Sequence, residues 1–120
     1  MPKILLVEDN ELNRDLLSRR LERRGYTVVM AIDGEQGVDM ALTERPDLIL
    51  MDIILPGIDG FEATRQIKAT AGIATIPVIA LKDFSVGGDR ELAYKAGCND
   101  YMAKPIDFEY LMDKLASFGC

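Results

Sequence analysis

The sequence predicts an α/β fold, a five-stranded parallel sheet covered by helices on both faces. Three observations predict it. Short runs rich in Ile, Leu and Val alternate five times with segments of helical apolar spacing. The central run, Leu48-Ile-Leu-Met-Asp52, is nearly continuous in its hydrophobicity, as a strand buried on both faces requires. Four of the runs stop at charge: Glu8-Asp9, Asp52, Lys82 and Lys104. Burying any one of these charges alone is costly, so four strand ends with opposed charges suggest a single site.

The elements follow in order. Lys3 to Val7 reads as the first strand. Asn10 is a helix N-cap, followed by an apolar stripe of Leu12, Leu16, Leu17 and Leu21. Arg19, Arg20, Arg23 and Arg24 crowd the end of that helix, where they complement its dipole or could bind phosphate, and Gly25 suits the position after it. Tyr26 to Ala31 is the second strand and Asp33-Gly34 a turn. Val38, Ala41 and Leu42 mark a helix ending before Pro46. Asp47 to Asp52 is the third strand, stopped by the turn residues that follow.

Asp59 with Glu62 three residues on reads as a capping box, which explains this acid as a cap rather than a catalyst. Phe61, Thr64 and Ile67 then point inward. Ile76 to Leu81 is the fourth strand. A loop from Phe84 to Gly88 precedes a helix with Leu92, Ala93 and Ala96 inward, closed by Gly97. Asn99 to Ala103 is the fifth strand. Asp107 caps the last helix, which buries Leu111, Leu115 and one of Phe108 and Tyr110. Right-handed crossovers favour the order 2-1-3-4-5, a flavodoxin-like doubly wound (βα)5 sheet.

At 120 residues the chain is long enough for one core and too short for two, so residues 1–120 are expected to form a single domain. The net charge of −6 argues against a nucleic-acid partner, which calls for basic patches. There is no long apolar stretch and no signal-peptide pattern, so no membrane partner and a cytoplasmic location are expected. The sequence has no His, and Cys98 and Cys120 have no metal-type spacing. A structural zinc and a His-based triad are thereby excluded. Cys98, beside Gly97, reads as a small packing residue and Cys120 as an exposed terminal thiol.

In the order 2-1-3-4-5 the chain reverses between the first and third strands, and ligands bind at the carboxyl ends there. Glu8, Asp9 and Asp52 occupy those ends and would repel one another unless a cation joined them. Mg²⁺, a hard ion taking carboxylate, backbone oxygen and water, suits the set. Lys104 could pair with Asp52 or steady an incoming anion. A carboxylate nucleophile, a neutralising metal and an ammonium clamp together describe phosphoryl transfer to Asp52.

Over its full length the chain resembles the response-regulator receiver domain, and looks closest to DivK-like single-domain regulators. The resemblance rests on Leu6-Val7-Glu8-Asp9-Asn10, on Leu50-Met51-Asp52-Ile53 with Pro56 and Asp59-Gly60, on Ala96-Gly97-Cys98-Asn99-Asp100-Tyr101, and on Lys104-Pro105. It implies that Asp52 accepts a phosphoryl group from a phosphohistidine on a sensor histidine kinase or histidine phosphotransfer protein. It also implies that Asp9, Asp52 and the Ile54 backbone carbonyl hold Mg²⁺, with Glu8 acting through water. Lys104 would bind a phosphoryl oxygen, and its bond to Pro105 would be cis. Tyr101 matches an aromatic switch that turns inward on activation, although an amphipathic residue at a sheet edge would look the same.

One departure stands out. The family places Ser or Thr at the end of the fourth strand, and here Lys82 stands there. Its ammonium could reach Asp52 directly, occluding it and weakening Mg²⁺ binding, or its long stem could carry it out to solvent. Ile54 and Phe84, each two residues past a site position, are bulky and apolar and should slow hydrolysis of a phosphoryl group.

The expected function is a stand-alone phosphorylation switch, a monomer or weak dimer. Its output would be a contact with a downstream protein through the face of the fourth helix, fifth strand and fifth helix, around Leu92, Lys95, Tyr101 and Tyr110. The alternative is a phosphorylation-independent adaptor in which Lys82 imitates a charged site. An enzyme of the carboxylate-nucleophile phosphatase type is disfavoured, because Glu8-Asp9 lacks its D-x-D spacing.

Overall fold

The computed structural model describes residues 1–82 and 89–120. The strands are β1 (Lys3–Val7), β2 (Thr27–Ala31), β3 (Leu48–Asp52), β4 (Val78–Lys82) and β5 (Asp100–Ala103). The helices are α1 (Glu11–Arg23), α2 (Gly34–Glu44), α3 (Gly60–Lys68), α4 (Asp89–Ala96) and α5 (Phe108–Ser117). All strand pairs are parallel and the order is β2-β1-β3-β4-β5, as the alternation predicts. The expected loop residues Phe84 and Gly87-Gly88 lie outside the described residues.

Strand alternation divides the core in two. Ile4, Leu6, Leu48, Leu50, Ile79, Leu81 and Met102 pack with Leu21 of α1 and Phe108, Leu111 and Leu115 of α5. Leu5, Val7, Ile49, Met51, Val78, Ala80 and Tyr101 pack with Ala41 of α2, Ala63 and Ile67 of α3 and Ala93 of α4. Each fully buried Leu or Ile contributes roughly 1.5–3 kcal/mol relative to exposure, so both faces are strongly specified. A one-residue slip in any strand would exchange the two sets.

Several elements begin later than expected. β4 starts at Val78 rather than Ile76, since Pro77 has no N–H for the ladder, and the Val78 N–H is taken by the Asn99 side chain at 3.0 Å. β2 starts at Thr27 because the Tyr26 N–H closes α1 on the Leu21 carbonyl at 3.2 Å. β3 starts at Leu48 and β5 at Asp100. The Asn10, Asp33, Asp59 and Asp107 caps all accept from backbone N–H groups of their first turns. Glu62 turns to Arg65 and Gln66, so the Asp59 cap works as a simple one rather than a box.

Some expected core residues face outward. Leu12 and Leu16 are 65% and 52% exposed. They line surface clefts, Leu12 beside Met30 and Leu16 beside Pro105 and Ile106. In α4 the buried stripe runs Asp89, Ala93, Ala96, which leaves Leu92 on the exposed side. Leu42 is likewise exposed on α2, and Phe108 rather than Tyr110 is the buried aromatic of α5. Cys98 is buried, with its Sγ 3.8 Å from the Thr64 hydroxyl. Cys120 is partly buried, not exposed, and its carbonyl accepts from the Tyr26 hydroxyl at 3.0 Å.

Two of the arginines at the end of α1 reach α5. The Arg20 guanidinium lies 4.2 Å from the Phe108 ring centroid, and Arg24 forms a 2.8 Å ion pair with Glu109. These two contacts join α1 to α5.

Candidate functional site

β1 and β3 are neighbours, so Glu8-Asp9 and Asp52 emerge side by side at the carboxyl edge of the sheet. Glu8, Asp9 and Asp52 each offer a carboxylate oxygen, and these oxygens lie within 4.8 Å of one another. Glu8 and Asp52 are buried and Asp9 is exposed. Together with Asn10, Asn13, Ile54 and Lys104 they line an open cleft of about 430 Å³.

Lys104 reaches Asp52 from two strands away and Glu8 from three. Its ammonium donates to Glu8 Oε1 at 2.8 Å and to Asp52 Oδ2 at 3.2 Å. Strand parity makes this natural: Glu8 follows Leu6, Asp52 follows Leu50 and Lys104 follows Met102, all residues of the α1/α5 face. The Asp52 carboxylate also accepts from the Ile54 N–H through Oδ1 at 3.2 Å. Glu8 is held by the Asn10 N–H, and its carbonyl by the Arg14 guanidinium at 2.8 Å. The Lys104–Pro105 peptide is cis.

Crowding sets the protonation of the acids. Burial first, and then the adjacent Glu8 carboxyl, push Asp52 up to about 7, against the pull of Lys104. Burial also pushes Glu8 upward. Its hydrogen bonds with Lys104, Asp52 and the Asn10 N–H outweigh that and hold it below the ordinary carboxylate range. For Lys104 the carboxylates prevail over burial and raise the ammonium. In the absence of a further cation the two buried acids share a proton near neutrality.

Lys82 does not neutralise this site. Its ammonium lies 2.8 Å from Oδ2 of Asp89, in the first turn of α4, and among the described residues no ion pair joins it to Asp52. The expectation that Lys82 occludes Asp52 is therefore corrected, and so is the one that it swings into solvent. Lys82 follows Val78 and Ala80, so its side chain leaves the strand on the α2/α3/α4 face, opposite to Asp52.

Tyr101 shares that face and is buried, with the Arg90 guanidinium 5.5 Å from its ring centroid. Tyr101 and Tyr110 line one surface cleft with Arg90, Tyr94 and Lys114, whereas Leu92 and Lys95 are exposed and do not line it. Sequence reasoning missed Arg14, Asp89 and Arg90. An acid in the first turn of a helix is ordinary, so only the parity of Lys82 could have pointed to Asp89.

The Response regulator receiver domain model matches residues 4–116. DivK, the polar-differentiation response regulator of Brucella anthropi, is 40% identical over 119 residues, covering 98% of this chain and 97% of DivK. Protein PilH of Pseudomonas aeruginosa is 39% identical over 112 residues, 93% of each chain. The receiver domain of a sensor histidine kinase from Pseudomonas aeruginosa, solved with magnesium coordinated in its active-site cleft, superposes with a TM-score of 0.91 at 42% identity, covering 99% of this chain and 98% of that one. The chemotaxis protein CheY4 of Vibrio cholerae gives a TM-score of 0.92 at 26% identity, with 98% of each chain covered. With the family model matching residues 4–116 and 40% identity to DivK over nearly the whole of both chains, the chain belongs to the response regulator receiver domain family.

Proposed function

We propose that this chain is a phosphorylation-driven switch in which Asp52 is the phospho-acceptor. The observation that carries the reading is the position of Asp52: buried at the end of the central strand, facing an acidic cleft, and clamped by Lys104. A phosphohistidine on a sensor kinase or phosphotransfer protein is the donor. An Asp52 carboxylate oxygen attacks phosphorus, the P–N bond breaks, and the imidazole leaves with the electron pair and takes up a proton.

The acids fit a hard divalent ion. Three carboxylate oxygens converge within 4.8 Å of one another, a donor set suited to such an ion. Asp9, Asp52 and the Ile54 carbonyl would hold Mg²⁺, with Glu8 acting through water. Bound there, the ion supplies charge neutralisation for the carboxylate and phosphoryl oxygens. Lys104, already poised between Glu8 and Asp52, donates to a phosphoryl oxygen, and the Ile54 N–H orients the attacking carboxylate. Output runs through the α4-β5-α5 face, where Tyr101 sits beneath Arg90 and Tyr110 is exposed to a downstream protein.

The adaptor alternative depends on Lys82 mimicking a charged site, and Lys82 is instead engaged by Asp89. The test is incubation with a small phosphodonor and Mg²⁺, followed by mass measurement. The native chain gains one phosphoryl group, and Asp52→Ala gains none. Equal gain by both would place the acceptor elsewhere. Asp9→Asn should keep the acceptor while losing most of the Mg²⁺ requirement and rate.

A further inference from the structure

The turn from β1 into α1 carries two of the three acids, and its backbone is anchored at both ends. The Glu8 N–H donates to the Ala31 carbonyl at 3.1 Å, and the Asn10 N–H donates to the Glu8 carboxylate at 3.2 Å. Asn10 then caps α1. Between these anchors lies Asp9, the exposed acid of the set.

Within that turn the Glu8 carbonyl accepts from the partly buried Arg14 guanidinium at 2.8 Å. Arg14 is itself tied to the cap, since its N–H donates to the Asn10 carbonyl at 2.9 Å. The side chain therefore closes a ring that runs from residue 8 to residue 14 and encloses Asp9. The Glu8 carbonyl and the Asp9 nitrogen share one planar peptide. Fixing that oxygen fixes the plane from which the Asp9 side chain departs. Glu11 and Asp15 line the same surface cleft as Arg14, yet among the described residues its guanidinium forms an ion pair with neither. A neutral carbonyl holds it instead, as a positioning role requires.

Resting on the reading of Glu8, Asp9 and Asp52 as the Mg²⁺ set, we propose that Arg14 is a positioning residue for that ion. By holding the Glu8 carbonyl it sets the turn so that the Asp9 carboxylate faces Asp52. Charge and geometry here have opposite signs. A cation near the acids opposes a second cation, so charge alone would make Arg14 weaken Mg²⁺ binding. The guanidinium is only partly buried and is screened by solvent, whereas the bond to the carbonyl is short and directed. Geometry prevails, and Arg14 strengthens binding.

The experiment titrates Mg²⁺ into the chain by calorimetry, follows thermal unfolding in chelator, and times phosphoryl gain from a small phosphodonor across Mg²⁺ concentrations. Arg14→Met should bind Mg²⁺ about tenfold more weakly, the effect of losing a group that orients a metal ligand. The Mg²⁺ concentration for half-maximal phosphorylation should rise by the same factor, with the rate at saturating Mg²⁺ within about twofold of native. Arg14→Lys keeps the charge but loses the planar fork, and should weaken binding about threefold. It also decides the matter if Arg14→Met does not fold. A merely structural role would lower the melting temperature in chelator and leave the Mg²⁺ dissociation constant unchanged. Unchanged or tighter binding by either folded variant overturns this inference and leaves the Mg²⁺ reading standing. Failure of the native chain to bind Mg²⁺ overturns both.

Discussion

The ammonium of Lys104 lies 3.2 Å from Oδ2 of Asp52, although the whole of β4 separates their strands. The contact spans that gap because both residues leave the sheet on the same face, at the same edge, and only a long side chain can cross it. Glu8 completes the arrangement at 2.8 Å, so one cation serves two buried acids. This shared clamp governs both the stability of the metal-free chain and the chemistry proposed for it.

Lys104→Met should therefore be costly. Both ion pairs are buried, and removing their common cation should cost about 3 kcal/mol at pH 8. Urea unfolding measures this. The cost should shrink at pH 5, where a proton can replace part of the lost positive charge. A loss below about 1 kcal/mol at pH 8, the range of an exposed pair, would show that Lys104 does not hold the acids.

The pH dependence of the metal-free chain follows from Asp52. In the unfolded chain an Asp releases its proton near pH 3.9, whereas burial and Glu8 hold the folded Asp52 proton to about 7. The folded state binds more protons between these values, so the Asp52 contribution to stability falls as pH rises through that window and is flat above it. Asp52→Asn removes this slope. In chelator, its melting temperature should exceed the native value at pH 8 and converge with it near pH 4. Mg²⁺ should narrow the gap at pH 8 by binding the native acids. Parallel native and variant curves from pH 4 to 8 would contradict the reading.

Gly60 supports the Asp52 strand end directly. A Cβ added there would sit 2.2 Å from the Asp52 carbonyl oxygen and 2.7 Å from Ile53 Cα. Both obstacles are backbone, with no flexible side chain to yield. Gly60→Ala should cost about 2–3 kcal/mol in thermal or urea unfolding and slow phosphoryl gain at Asp52. A variant with native stability and rate would mean that α3 can shift away without disturbing the site.

Ile54 is 58% exposed and lines the acidic cleft beside Asp52. Its apolar bulk should protect a phosphoryl group on Asp52. Ile54→Asn should shorten the lifetime of the phosphorylated chain about threefold or more, read by timed mass measurement after donor removal. A longer lifetime in the variant would reverse the assignment.

Much of this was legible in the residues. The apolar runs located every strand, and Asn10, Asp59 and Asp107 marked helix starts as capping chemistry requires. Glu8, Asp9, Asp52 and Lys104 could be gathered into one site because parity follows from local alternation and right-handed crossovers leave few strand orders. Burial was less legible. Leu12 and Leu92 fit an apolar helical period, yet whether that stripe meets the sheet depends on how the helix is rotated against it.

The chain by itself determined the alternating sheet, its order and the acids at its carboxyl edge, since each follows from local periodicity and from the few ways right-handed crossovers can be wound. Only the tertiary structure decided the partners of the two strand-end lysines, sending Lys104 across β4 to Glu8 and Asp52, and Lys82 to Asp89. The reason is physical: alternation along a strand assigns a side chain to a face, but the charge waiting on that face belongs to an element brought there by packing.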